Sequence, residues 1–501
     1  MDQPDDEHPI IDHQPIVDPQ FIISDRVIIN GTVTPVTLSE DGRLRWSERS
    51  ESCLTLENEV LGFVTDGPKI RIRTVVDSGH GIFCAGHKGN LVRKDFVFEP
   101  FSEELQRLWC QKLREYIDSL GRPKRLFIFL NPYGGKRAAA KIFLHHVKPL
   151  FDDAGVKITV QETKHQLHAK EVAYALDLSK YDGIVCVSGD GILVEVINGL
   201  LKREDWNIAI NMPLGVVPAG TGNGMAKSLL DSVGDPCNAS HATQAIIRGH
   251  KRLLDVATIK QGETKFFSVL MLAWGLVADI DIESEKYRWL GSARIDFYAL
   301  QRIFHLRQYN GRVSFVPAPG FEAYGESTTY NGESTNKLNV SHAREEEAVM
   351  VRDHGYQGPH INLENLNWKA INGPFISIWL HNVPWGAEDT MAAPDAEFSD
   401  GYMDLIVIRE CPRLSLLSLM TELNTGNHVK SQHVMYLKVK AFILEPGPQT
   451  RDPAKEGIID SDGEVLARGK GTYKCDQMTL MAYDKLQITV DQGLATLFTP
   501  V

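Results

Sequence analysis

The chain has 501 residues, 43% hydrophobic and 24% charged, a globular composition that excludes collagen-like, wholly disordered and small disulfide-scaffold proteins. Its 53 basic residues against 65 acidic ones leave a formal net charge of −12, opposite in sign to the footprint of a general nucleic-acid binder, so no nucleic-acid partner is expected. At roughly 100 to 200 residues per domain, two or three domains are expected.

Residues 1–20, rich in Pro and Asp, predict a disordered tail, and the acidic start MDQPDDEHPIIDHQ matches neither a secretory signal nor a transit peptide. A cytoplasmic protein is expected. Residues 21–120 carry β-like runs at 26–30, 32–37, 43–46, 59–65, 69–76 and 94–98, punctuated by Asn-Gly, Asp-Gly and Gly-Pro turns. A helix over 102–120 follows, with Leu105, Leu108, Trp109, Leu113, Ile117 and Leu120 at helical spacing. This reads either as a pleckstrin-homology-like domain or as a β-rich extension with no binding role.

Residues 121–252 alternate strands (126–130, 156–160, 183–187, 214–217) with helices (137–151, 166–177, 192–201), the pattern of a parallel sheet covered on both faces. Residues 253–501 turn β-rich again at 253–260, 265–273, 312–316, 375–381, 403–408, 434–444 and 477–490, interrupted by one long helix near 283–307. That predicts an antiparallel β-sandwich, within which the polar, acidic stretch 318–370 reads as a disordered insertion. The expected fold class is therefore an α/β nucleotide-binding domain followed by an antiparallel β-sandwich, with a β-rich N-terminal extension. The longest apolar run, 266–280, is shorter than the roughly 20 residues that cross a bilayer, so any membrane contact would be peripheral. Seven scattered cysteines show no zinc-like spacing and are expected as reduced thiols. His165 and His168 lack a third ligand at usable spacing and read as solvated.

Three glycine-rich segments carry the chemistry. Asn131-Pro132-Tyr133-Gly134-Gly135-Lys136 lies between a strand and a helix, at the carboxyl edge where helix N–H groups and close backbone approach favour an anion. Ser188-Gly189-Asp190-Gly191 presents a carboxylate at the same kind of edge, suited to a general base or a magnesium-linked group. Pro218-Ala219-Gly220-Thr221-Gly222-Asn223-Gly224 supplies a third loop. Each alone reads equally as an ordinary turn. Three at successive edges of one sheet point to a phosphate-binding site, although none matches the P-loop or the dinucleotide fingerprint.

These three motifs in this order, followed by an AWG…ADIDIESEKYR segment at residues 273–288, resemble the sphingosine kinases within the diacylglycerol-kinase-like lipid kinases. The N-terminal extension resembles that of the plant members. The resemblance implies ATP, with magnesium, in a cleft beside the α/β domain and a sphingoid base entering the sandwich. It implies that Asp190 takes the proton of the primary hydroxyl and is the residue linked to magnesium. Asn131, Gly134, Gly135, Thr163, Ser188, Gly189, Gly191, Gly220, Thr221 and Asn223 would line the nucleotide, with Arg288 and Arg294 on phosphates and Asp462 and Glu464 returning from the C-terminal half. Asp281 would meet the lipid head-group, and Met271, Ala273, Leu276, Val277 and His428 would wall the lipid. Implied partners are the lipid, an anionic membrane surface touched peripherally and a second copy of the chain. The competing readings are a diacylglycerol or ceramide kinase and a catalytically silent lipid-binding protein.

Some of this stands on the residues alone. A protonated amine calls for a carboxylate, and Asp279, Asp281, Glu283 and Glu285 alternate beside what reads as an apolar strand; they read equally as a solvent-facing strand end. Arg288 and Arg294, six positions apart, sit about 120° out of alignment on one helix and share a cleft only if that helix bends. Tyr133 and Arg137 stand where animal relatives have Arg and Gly, and Met271 where some have Ser.

Overall fold

The computed structural model describes residues 21–47, 51–77, 89–134, 137–291, 293–330, 354–473 and 479–501. The chain forms two compact units, one of residues 1–76 and 92–122, the other of 77–91 and 123–501.

The first unit holds β1 (Phe21–Ile29), β2 (Thr32–Ser39), β3 (Arg43–Ser47), β4 (Glu51–Thr55), β5 (Val60–Asp66), β6 (Lys69–Asp77) and β7 (Leu91–Pro100), in the order β4-β3-β2-β1-β7-β6-β5. Asn30 and Gly31, both at positive φ, form the tight β1–β2 hairpin that an Asn-Gly pair favours. The helix Glu103–Ser119 starts where the Ser102 hydroxyl accepts from the Leu105 amide, and buries Trp109, Leu113 and Ile117 at fourfold spacing against Val27, Leu38, Leu44 and Phe98. Strand β4 is an addition to the predicted set, hidden by its charged and polar ends.

The second unit begins with β8 (Arg125–Leu130), β9 (Lys157–Glu162), β10 (Gly183–Ser188) and β11 (Leu214–Pro218), parallel neighbours in the order β9-β8-β10-β11. The helices Asp190–Leu201, Gly224–Asp231 and Ala239–Arg248 belong to this half. The first predicted helix starts two residues late, at Ala139, because Arg137 is held at φ 54°, and it carries one wide turn at Phe143–Val147.

Then come β12 (Lys251–Gln261), β13 (Thr264–Ser268), β14 (Met271–Gly275), β15 (Tyr309–Pro317), β16 (Glu326–Ser327), β17 (Lys369–Asn372), β18 (Ser377–His381), β19 (Trp385–Ala387), β20 (Thr390–Met391), β21 (Met403–Ile408), β22 (Met435–Gln449), β23 (Ile458–Ser461), β24 (Glu464–Arg468) and β25 (Leu486–Phe498). The path β24-β23-β14-β18-β21-β22-β25 is antiparallel and runs on into β11, where Leu214 pairs with Leu497 in parallel. The last strand of the chain thus joins the sandwich half to the α/β half within one unit.

Four expectations change here. The single strand 265–273 is two, because the chain turns at Val269–Leu270. The acidic run is a helix, Leu276–Glu283, since Gly275 at φ 90° turns the chain out of β14. The helix near 283–307 is a 3-10 segment, Ser284–Leu290, then an α-helix, Ala293–Phe304. Within the insertion, 318–330 and 354–370 are packed: β16 pairs with β17, Trp368 is buried against Tyr330, and Tyr356 stacks near Trp206. Those aromatics outweigh the polar composition around them. The stretch 331–353 and the tail 1–20 lie outside the described residues. Among the described residues, no helix is long and apolar enough to cross a membrane, and Cys53, Cys110, Cys186, Cys237 and Cys411 are free thiols.

Candidate active site

Because β8, β10 and β11 are adjacent and parallel, the three glycine-rich loops leave the same edge of the sheet. Asp190 opens the helix Asp190–Leu201, and its carboxylate bridges to the start of the next helix, accepting from the amides of Gly224 at 2.9 Å and Met225 at 3.0 Å. Burial pushes this carboxyl up, and those amides pull it partly back. Apart from this carboxylate, the second and third loops meet through backbone. A Cβ added at Gly220 would lie 2.3 Å from the Gly189 Cα, so glycine is required by close approach. Asn223, at φ 59°, accepts from the Gly220 amide at 2.9 Å and donates to Glu388 at 2.6 Å. At the first loop the Asn131 side chain accepts from the amides of Tyr133 and Gly134, both at 3.1 Å. That Asx turn fixes the entry to the loop.

The sandwich half reaches this edge at two places. Within β19, Gly386 lies against the third loop: a Cβ at Gly222 would stand 3.5 Å from an Asp190 carboxylate oxygen and 3.7 Å from the Gly386 carbonyl. From β24, Glu464 takes a 2.9 Å hydrogen bond from Gln166, and its other oxygen lies 3.6 Å from where a Gly191 Cβ would sit. Burial first, then the neighbouring Glu195 charge, pushes the Glu464 carboxyl up to about 7.

One face of the sandwich sheet carries a second group of residues. In register, Met271 opposes His381, and Ala273 opposes both Trp379 and Asp460, so these five side chains share a face. On the helix Leu276–Glu283 the acidic residues divide by their fourfold spacing. Asp279 and Glu283 turn to a buried structural cluster: Tyr309 donates to Asp279 at 2.7 Å, Arg302 and Arg307 each reach Asp279 at 3.2 Å, and Arg307 reaches Glu283 at 3.0 Å. Asp281 turns the other way, to Asp460. Burial raises the Asp281 carboxyl, and burial with the Asp281 charge raises Asp460 well above the usual range, so the pair holds a shared proton more readily than two separate carboxylates. Asp460 is 0% exposed, and no donor among the described residues reaches either of its oxygens.

Ser188 and Thr163 are buried at the ends of β10 and β9, Thr221 is exposed, and Leu276 and Met271 are buried with Val277 partly so. Asp462, expected on the nucleotide, is held at φ 56°, and one of its oxygens accepts from the amides of Leu270 at 2.7 Å and Met271 at 2.9 Å at the turn into β14. Arg294 is ion-paired with Glu285. Gly135 and the Arg288 side chain lie outside the described residues. Sequence reasoning missed Asp460, Glu388 and His381. Asp460 stands two positions before Asp462 in Asp-Ser-Asp-Gly-Glu, so strand alternation with β14 could have placed it on the face of Ala273.

The diacylglycerol kinase catalytic domain family matches residues 125–259, and the YegS C-terminal NAD kinase beta sandwich-like domain family matches 373–481. Sphingosine kinase 1 of Arabidopsis thaliana is 61% identical over 94% of this chain and 95% of its own length. The chain belongs to the sphingosine kinase family. Sphingosine kinase 2 of the same organism is 61% identical over 94% of this chain and 96% of its own, while human ceramide kinase is 31% identical over 74% and 69%. The first match covers the α/β half and runs into β12, and the second lies within the sandwich half, ahead of β25.

Proposed function

We propose that this chain transfers the γ-phosphoryl group of ATP to the primary hydroxyl of sphingosine and related sphingoid bases, giving their 1-phosphates and ADP. The observation that carries it is Asp190, a carboxylate at the junction of two glycine loops and of the sandwich half, in a chain of this family. Asp190 accepts the hydroxyl proton as the substrate oxygen attacks the γ-phosphorus. The bond from that phosphorus to the bridging oxygen breaks, and ADP leaves with the electron pair. Asn131, Gly134, Gly189, Gly191, Gly220, Thr221 and Asn223 line the phosphates with backbone and small polar groups, which meet the charge that spreads over the transferring oxygens.

Asp190 is the carboxylate that would hold a nucleotide-borne magnesium ion, a hard cation that takes one or two carboxylates and otherwise phosphate oxygens and water. When bound, that ion neutralises developing charge on the phosphates. Asp281 with Asp460 is the counter-charge for the substrate's ammonium, a group that diacylglycerol and ceramide lack. Met271, Ala273, Leu276, Val277 and His428 wall the alkyl chain of the base.

The lipid is drawn from an anionic membrane surface by a cytoplasmic enzyme. Trp289 (79% exposed), Phe297, Leu300 and Phe304 stand in solvent along the helix Ala293–Phe304 and the turn before it, and Leu414 (81%) is exposed on the adjoining helix Arg413–Glu422. Such a face suits a bilayer. Mutating Phe297, Leu300 and Phe304 together to Ser should lower binding to phosphatidylserine vesicles; if binding is unchanged while light scattering shows a dimer falling to monomer, the face joins two copies of the chain instead. The activity itself is tested with purified enzyme, labelled ATP and a panel of sphingosine, dihydrosphingosine, phytosphingosine, ceramide and diacylglycerol. Labelled 1-phosphates of the bases are expected. Label in diacylglycerol alone would overturn the reading.

A further inference from the structure

His381, at the end of β18, is 0% exposed, and His428, in the short segment Asn427–Lys430, is 3% exposed. Among the described residues no group reaches good hydrogen-bond geometry at any of the four ring nitrogens; the Val383 backbone stands near the His381 ring and the Ala392 backbone near the His428 ring without it. Burial drives the His381 imidazole down to about 3, against a small opposing pull from the Val383 backbone and with His428 adding to the fall; burial lowers His428 as well. Both are therefore neutral near pH 7, and each offers one N–H donor and one bare nitrogen acceptor. A buried polar group left unsatisfied is costly, so this pair calls for a partner, either a bound water or a ligand group that displaces it.

Position gives the partner's chemistry. His381 shares the sheet face of Met271, Ala273, Trp379 and Asp460, with its ring edge-on to Trp379 at 4.5 Å. A Cβ at Gly386 would lie 3.1 Å from the His381 Cε1, and the Gly386 carbonyl faces Gly222 and, through it, Asp190. The backbone of Gly386 and Gly222 thus lies between the imidazole and the Asp190 carboxylate and sets the two on the order of 10 Å apart. A base whose first oxygen is hydrogen-bonded to Asp190 and whose further hydroxyl is hydrogen-bonded to His381 spans about that distance, with about 2.8 Å for each hydrogen bond and about 5 Å between oxygens on carbons 1 and 4.

We propose that His381, with His428 beside it, recognises a hydroxyl group on the base beyond its amine-bearing carbon, the imidazole giving one hydrogen bond and taking another. This rests on the reading of the site as a sphingoid-base kinase. A hydroxyl is both donor and acceptor, matching a neutral imidazole at both nitrogens, and an alkyl chain matches it at neither. Rejection of a substrate that leaves such a site unpaired is characteristically steep.

The experiment compares kcat/KM of the full-length enzyme for 2-aminooctadecan-1-ol, dihydrosphingosine and phytosphingosine, which carry no, one and two hydroxyls beyond the first. The wild type should rise along the series by at least about tenfold overall. His381→Leu should flatten it to within about twofold while leaving the rate on 2-aminooctadecan-1-ol and the KM for ATP unchanged, and His381→Gln, which keeps a donor and an acceptor, should restore part of the rise. Leu also removes an unpartnered imidazole from an apolar site, so its Tm without lipid should equal or exceed that of the wild type. A wild type indifferent to the hydroxyls, or a His381→Leu enzyme that keeps the wild-type ratios, overturns the inference and leaves the kinase reading standing. A wild type that phosphorylates none of the three bases overturns both.

Discussion

Asp190 is held by two amides of the helix Gly224–Asp231, so its carboxylate is oriented before substrate arrives. Asp190→Asn keeps the shape and one acceptor but removes the proton acceptor. Its kcat should fall by about 10²- to 10⁴-fold, with the KM for ATP little changed, as read by steady-state kinetics. Asp460 makes a different contribution. Asp460→Asn should raise the KM for sphingosine several-fold and leave the KM for ATP alone, because it removes one of the two carboxylates that meet the ammonium without touching the phosphates; equal loss on both substrates would show a folding defect instead. His381 adds a pH signature. Its folded-state value near 3 lies below the ordinary 6.5, so the stability tied to it is complete above about pH 6.5 and lost as pH falls toward 3. Between pH 7.5 and 5 the Tm of His381→Leu should therefore fall less than that of the wild type in differential scanning fluorimetry.

At the scale of elements, the loops work as a set because their strands are neighbours. Gly220 and Gly189 belong to different loops yet approach so closely that one methyl group cannot enter. Gly220→Ala should separate the loops, cutting kcat/KM by more than tenfold and lowering Tm by several degrees, whereas Gly463→Ala, with nothing within 4 Å of its Cβ position, should act only through backbone strain at φ 81°. Helix periodicity had the same kind of consequence for the acidic run. Spacing of two on a strand would have put Asp279, Asp281, Glu283 and Glu285 on one face; on the helix Leu276–Glu283 the first and third brace Arg302 and Arg307, and Asp281 alone turns to Asp460.

Across the whole second unit, β25 is bonded to β11 on one side and to β12 and β22 in the sandwich half, so neither half closes its sheet without it. Residues 123–501 should unfold in a single calorimetric transition, and Leu497→Ala, at the buried crossing point, should lower its stability by about 2 to 5 kcal/mol. Two resolved transitions would mean that the halves fold independently.

Much of this was written in the chain itself. Strand–glycine–helix junctions at Asn131, Ser188 and Pro218 are local signals, because turn chemistry and hydrophobic period are set by neighbours within a few residues, and they placed Asp190 at a sheet edge before any contact was known. The seven-stranded extension with its terminal helix was legible for the same reason, except β4. What the tertiary structure alone decided is whatever depends on residues distant in sequence: that Asp460 meets Asp281, that Asp462 accepts from the amides of Leu270 and Met271, that Gly386 brings His381 toward Asp190, and that the last strand ties the two halves together. A carboxylate or an imidazole has the same local pattern whether it binds a ligand, caps a turn or pairs across a sheet; its surroundings choose among these, and its surroundings come from the other end of the chain.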